Sequence, residues 1–189
     1  MTVSENPYAT PQADLNLPVD SPATFFVVAP RKFVVMVLLS QGFYGFYWLY
    51  KHWSIYRAAT GARVLPLVRA FFSFFFVYAL VMRIKRALDL KEPPYRWLPR
   101  CYALGWITTA FLPFTYIWFV SPFTALKLGF CFAIVQVSMG AQIQRAVNHL
   151  ENDPQGKANC RITWANGIWI AIGVSFWVIG ITSALKSPI

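Results

Sequence analysis

No aspartate or glutamate interrupts the long apolar blocks of this sequence. All seven acids, from Glu5 to Asp153, fall in the N-terminal tail or in the connectors between blocks. Five blocks follow one another, at about 33–50, 67–82, 101–120, 122–142 and 162–185. An apolar segment of about 20 residues is what a helix needs to cross a bilayer. A soluble domain carries about 25% charged residues, whereas this chain has 13%, against 57% hydrophobic. The pattern predicts an all-α integral membrane protein, a bundle of about five transmembrane helices in a single domain over residues 31–189.

The boundaries carry their own signals. Residues 1–30 hold five prolines and no Lys or Arg, and read as a disordered cytoplasmic tail in which Asn6-Pro7-Tyr8 is a candidate docking peptide. The stretch Gly42 to Tyr50 packs six aromatic residues into nine and then meets Lys51 and His52, as a helix does where it leaves hydrocarbon. That helix is expected to continue to Ala59 and stop at Gly61, a natural C-terminal cap, with Pro66 opening the next one. A kink is expected at Pro113, and Ser121-Pro122 reads as an N-cap followed by proline in the first helical turn. The fourth helix outlasts its apolar part, so about two turns are expected to project into water before Asn152-Asp153-Pro154-Gln155-Gly156 ends it.

With five crossings, eleven Lys and Arg fall on the N-terminal side and six on the other. The positive-inside rule then puts the N-terminus in the cytoplasm. The alternative is four spans plus a re-entrant first segment, for which the count is eight against nine.

Several polar groups stand out against this background. Gln41, Gln136, Ser138, Gln142, Arg145, His149 and Asn166 form a candidate polar seam, lining a cavity or joining helices by hydrogen bonds; in the fourth helix Gln136, Gly140 and Gln144 share one face and Ser138, Gln142, Arg145 and His149 a second. Arg83, Lys85, Arg86, Lys91, Arg96 and Arg100 are candidate contacts for anionic lipid head groups, beyond their orienting role. Gly167, Ala171 and Ser175 form a small-residue row suited to helix packing, expected inside the chain rather than between subunits. Cys101, Cys131 and Cys160 lack metal-site spacing and only two histidines are present, so neither a metal nor a cofactor is expected. No catalytic motif is readable. The net charge of +10 belongs to the connectors and does not imply nucleic acid.

Gly42-Phe43-Tyr44-Gly45-Phe46-Tyr47-Trp48-Leu49-Tyr50-Lys51 resembles the G-[IF]-Y-G-[IF]-Y-W-x-Y-K signature of a family of small bacterial inner-membrane proteins of unknown activity. Phe stands at 43 and 46 where Ile is usual, and Gln41 where an apolar residue is usual. Pro66 to Phe72 and Gln144 to Asn148 resemble later landmarks, so the resemblance covers about residues 30–180. It implies a multi-pass helical protein and supplies no catalytic residues. The leading expectation is a non-enzymatic accessory or scaffold protein that works through helix–helix and membrane-surface contacts, with a membrane-protein partner or a homo-oligomer. The alternatives are transport or handling of a lipid or other amphipathic molecule and, last, a membrane enzyme.

Overall fold

The computed structural model describes residues 23–186, and Asn6-Pro7-Tyr8 lies outside them. Within these residues the chain is helical and has no strand. The helices are α1 (Pro30–Leu39), α2 (Phe43–Thr60), α3 (Pro66–Phe71), α4 (Ser73–Asp89), α5 (Pro99–Phe111), α6 (Pro113–Tyr116), α7 (Pro122–Leu150) and α8 (Trp164–Lys186). Two of them, α7 and α8, are long and apolar enough to cross a membrane.

The first apolar block is not one helix. Residues Ser40 to Gly42 break it, with Gln41 at φ 51° and Gly42 at φ 88°. The Gly42 N–H donates to Val37 O (2.8 Å) and the Gln41 N–H to Leu38 O (3.2 Å), the paired bonds of a Schellman C-cap. The Ser40 hydroxyl then accepts the Tyr44 N–H at 2.9 Å and caps the start of α2. The chain folds back on itself. Phe33 lies 5.0 Å from the Trp48 ring, and Phe25, before α1, stacks on Tyr56 at 5.7 Å. Thus α1 and α2 form an antiparallel hairpin whose tip is residues 40–42. Its far end is as expected: Gly61, at φ 65°, caps α2.

The second block bends as well, at Phe72 (φ −89°, ψ 43°). Arg69 lies over the Trp53 ring at 4.3 Å and Arg83 over the same ring at 5.5 Å. Between them in sequence, Ser73 and Phe74 border a cavity with Gly45 and Phe46 at the start of α2, so the chain runs toward that end and returns. So α3 and α4 also form a hairpin, with its tip at Phe72 and its open end beside Trp53. Near that tip, Phe74 meets Phe111 and Phe114 of the third block.

The remaining blocks run end to end. Pro113 separates α5 from α6, but the Leu112 N–H still reaches Thr108 O and the Ile117 N–H reaches Pro113 O, so the helix is kinked rather than cut. It ends at Tyr116, short of 120. Ser121 caps α7 through the Thr124 N–H, with Pro122 in the first turn as expected. The closing turns of α7 do not project into water. Ile143, Gln144, Ala146, Val147 and Asn148 are buried, because α2 and residues 23–29 cover them. Those residues correct the expectation of a disordered tail reaching to 30. Phe25, Phe26 and Val28 belong to the core, and Glu151 accepts the N–H groups of Thr24 and Phe25 (3.1 and 2.9 Å). Burying an aromatic or branched side chain stabilises by about 1.5–3 kcal/mol, enough to order a short extended strap.

Both hairpins open at the same end of the bundle. The strap, the α2–α3 connector, residues 90–98 and residues 151–163 all meet there, tied by Lys32 to Asn159 and Arg161, and by Lys91 to Leu150 and Asn152. Of the seventeen Lys and Arg, Lys127 and Lys186 lie at the opposite end, near the start of α7 and the end of α8, which leaves fifteen at this one.

Candidate functional site

Beneath the strap lies a buried polar network that the sequence reading largely missed. The Trp48 indole N–H donates to Gln144 Oε1 (2.5 Å). The Gln144 amide donates to Phe26 O (3.0 Å) and Asn148 Oδ1 (2.7 Å), and the Asn148 amide donates to Val28 O (3.0 Å). His52 Nδ1 accepts the Phe26 N–H at 3.3 Å, so its proton sits on Nε2, which is buried with no partner among the described residues. Gln144 and Asn148 are one turn apart on α7 and satisfy the Phe26 and Val28 carbonyls of the strap, while Glu151, His52 and Asn159 serve its other backbone groups. One turn along α2, Trp53 is fully buried, with Arg69 and Arg83 over its ring and Arg83 Nη1 donating to Tyr56 Oη (2.7 Å).

Burial pushes the His52 imidazole down to about 3, so it is neutral in the fold. The unfolded chain takes up that proton at about 6.5. The contribution of this group to stability is therefore complete above pH 6.5 and is lost as pH falls from there toward 3. Unfolding followed by intrinsic fluorescence in mild detergent should show about 2 kcal/mol lost between pH 6.5 and 5. His52→Phe should flatten that slope; a slope unchanged in the variant would assign it to other groups.

At the tips of the hairpins the character changes. A cavity of about 670 Å³ lies below residues 37–42 and is walled by α6, α7 and α8, including Leu38, Tyr116, Phe130 and Trp177. A second cavity of about 320 Å³ adjoins it on the side of Phe46, Phe74 and Trp106. Val37, Gln41, Gly42, Ala133 and Gln136 border both. The result is an apolar chamber of two adjoining cavities, with the side-chain amides of Gln41, from the α1–α2 tip, and Gln136, from mid-α7, on the wall they share. Pockets for small molecules have this composition, mostly apolar walls with a few polar groups.

Gln41 and Gln136 are thus brought together, while the rest of the expected seam is dispersed. Ser138 bonds back to Ile134 O of its own helix (2.8 Å) and is exposed. Gln142 and Arg145 contact each other weakly at 3.5 Å, His149 stacks on Tyr95 at 4.7 Å, and Asn166 accepts the Thr163 N–H at the start of α8. The buried partners one position away, Gln144 rather than Arg145 and Asn148 rather than His149, make the interior contacts.

The basic connector is similarly divided. Arg83, Lys85 and Lys91 are engaged inside the chain, with Tyr56, Asp89 and the end of α7 respectively; Arg86, Arg96 and Arg100 are exposed. The small-residue row does not pack internally. Gly167, Ala171 and Ser175 are exposed, and nothing lies within 4 Å of where a Gly167 side chain would begin. The close approach of α8 is made instead by Gly173, whose missing side chain makes room for the backbone of Leu39 and Ser40. Nearby, Trp177 Nε1 donates to Leu38 O at 3.0 Å.

No family model, curated protein or solved structure matches this chain.

Proposed function

We propose that this chain is an integral membrane protein that holds an amphipathic molecule, a lipid, in the chamber beneath the α1–α2 tip. The observation that carries the reading is the chamber itself: about 670 Å³, apolar, and furnished with the amides of Gln41 at the tip and Gln136 on α7. In water such a surface would be costly to leave open, whereas in a bilayer an acyl chain fills it and the amides meet an ester or headgroup oxygen. Ala133→Trp, placed on the wall between the two cavities, should reduce the lipid retained per chain at least about tenfold. Native mass spectrometry after detergent exchange measures it. Retention unchanged at an unchanged melting temperature would defeat the reading.

The membrane disposition that goes with it has three crossings, α5–α6, α7 and α8, and two re-entrant hairpins inserted from one side. Its support is electrostatic. Five crossings divide the cations eleven to six, and four with one re-entrant segment divide them eight to nine. Two hairpins divide them fifteen to two, the asymmetry that orients multi-pass proteins with the basic side in the cytoplasm. The N-terminus is then cytoplasmic, and the resemblance to small bacterial inner-membrane proteins is consistent with it. A cysteine replacing Arg63, in a variant without Cys101, Cys131 and Cys160, should be protected from a membrane-impermeant maleimide in intact cells and react once they are opened. Labelling in intact cells would restore the five-span arrangement.

A second reading, an accessory or scaffold subunit, is favoured by the outward face of Gly167, Ala171 and Ser175. In a bilayer that face is free for close approach by a helix of another subunit.

A further inference from the structure

At the other end of α1 from the chamber lies a cleft of about 850 Å³ between the start of α1, the side of α7 and residues 154–162. Four cations border it, Arg31, Lys32, Arg145 and Lys157, and among the described residues no acidic side chain does. Asp153, close by, is occupied: its carboxylate accepts the Ala158 N–H at 2.9 Å. Lys32 is almost fully buried and fixed, with Nζ donating to Asn159 Oδ1 (2.7 Å) and Arg161 O (2.6 Å). An ammonium has three donors, so one is left over. Pro30 opens α1, and the N–H groups of Arg31 and Lys32 follow it in the first turn, where no acceptor exists within the helix. Val35 and Ile162, both exposed, form an apolar lip to the cleft.

Four like charges gathered around a concave wall repel one another unless an anion joins them. We propose that this cleft binds a phosphate ester, the headgroup of an anionic lipid whose chains pass over Val35 and Ile162. Arg31, Arg145 and Lys157 supply charge-assisted hydrogen bonds to the phosphate oxygens, and Lys32 supplies a prefixed positive charge at the floor. The site is separate from the chamber and rests on the membrane disposition above, not on the chamber's occupant.

The test uses the full chain in phosphatidylcholine discs, titrated with phosphatidylglycerol and read by native mass spectrometry. The wild type should prefer phosphatidylglycerol, and Arg31→Gln with Lys157→Gln should weaken that preference about tenfold. Arg57→Gln with Arg63→Gln removes the same charge from exposed positions at the same end and should leave it unchanged. Equal losses in the two pairs, or no preference in the wild type, would overturn the site. Ala133→Trp should not alter this binding, so failure of the chamber and failure of the cleft are separable. Inorganic phosphate and glycerol 3-phosphate form a parallel arm. Displacement of the lipid by either at millimolar concentration keeps the phosphate chemistry and assigns its source to a soluble ester; no displacement assigns it to the lipid.

Discussion

Gln144→Leu is expected to lower the unfolding free energy by about 3–5 kcal/mol. The substitution keeps the volume and removes one amide, but that amide serves three partners in the buried interior: the Trp48 N–H, Phe26 O and Asn148 Oδ1. Each buried group left unpaired costs about 1–3 kcal/mol, more than its hydrogen bond contributes on net. Asn148 retains its bond to Val28 O, so the strap should loosen first at Phe26 and next at Phe25, freeing Glu151. Thermal unfolding in mild detergent gives the size of the effect, and hydrogen exchange at residues 24–28 gives its place. A loss below about 1 kcal/mol would mean that water replaces the amide.

Gly173→Val should be nearly as damaging, at about 2–4 kcal/mol. The added side chain would fall on the Leu39 carbonyl and the Ser40 backbone, which cannot rotate away as a side-chain end can. Helix α8 must therefore move off the α1–α2 tip, and the Trp177 bond to Leu38 O is lost with it. Gly167→Val, on the same helix but facing open space, should leave unfolding of the single chain unchanged. In the subunit reading it should also weaken self-association seen by size-exclusion chromatography. Equal destabilisation by the two would contradict the packing of α8.

Local signals in the sequence translated well into helix ends. Gly61, Ser121-Pro122, Pro113 and the Asn152–Gly156 turn each act through backbone chemistry that a single residue imposes, and each stands where that chemistry predicted. The hairpin tips did not announce themselves in the same way. Gln41 occupies a left-handed conformation that few non-glycine residues adopt, held by the bond of its N–H to Leu38 O, and Phe72 bends the chain without glycine or proline. In hydrocarbon an apolar residue is acceptable on every face, so periodicity does not report whether a block crosses or returns. Arg69, three residues inside its block, was the available hint, since it sits more readily near a headgroup layer than beneath one.

The same loss of phase explains the site. In α7 the sequence offered two polar faces, one through Gln136 and Gln144 and one through Arg145 and His149, and the buried network uses the first together with Asn148, which neither face named. Polar residues occur on several faces there, and only the strap decides which face is inside. Gly167 was preferred to Gly173 in α8 for the same reason. The strap was missed because Phe25, Phe26 and Val28 are too few to make a period and lie between prolines.

Two hairpins that enter and leave on one side lighten the labour of biogenesis. In the proposed disposition almost the first hundred residues, with twelve of the seventeen cations, never have to be carried through the bilayer. What must be passed across is the short turn between α6 and α7 and the far end of α8, with Lys127 and Lys186 beside them. The strap cannot close until α7 has emerged, because Gln144 and Asn148 hold it. The N-terminal half of such a chain would wait at the membrane surface, half inserted, for the helix that completes it.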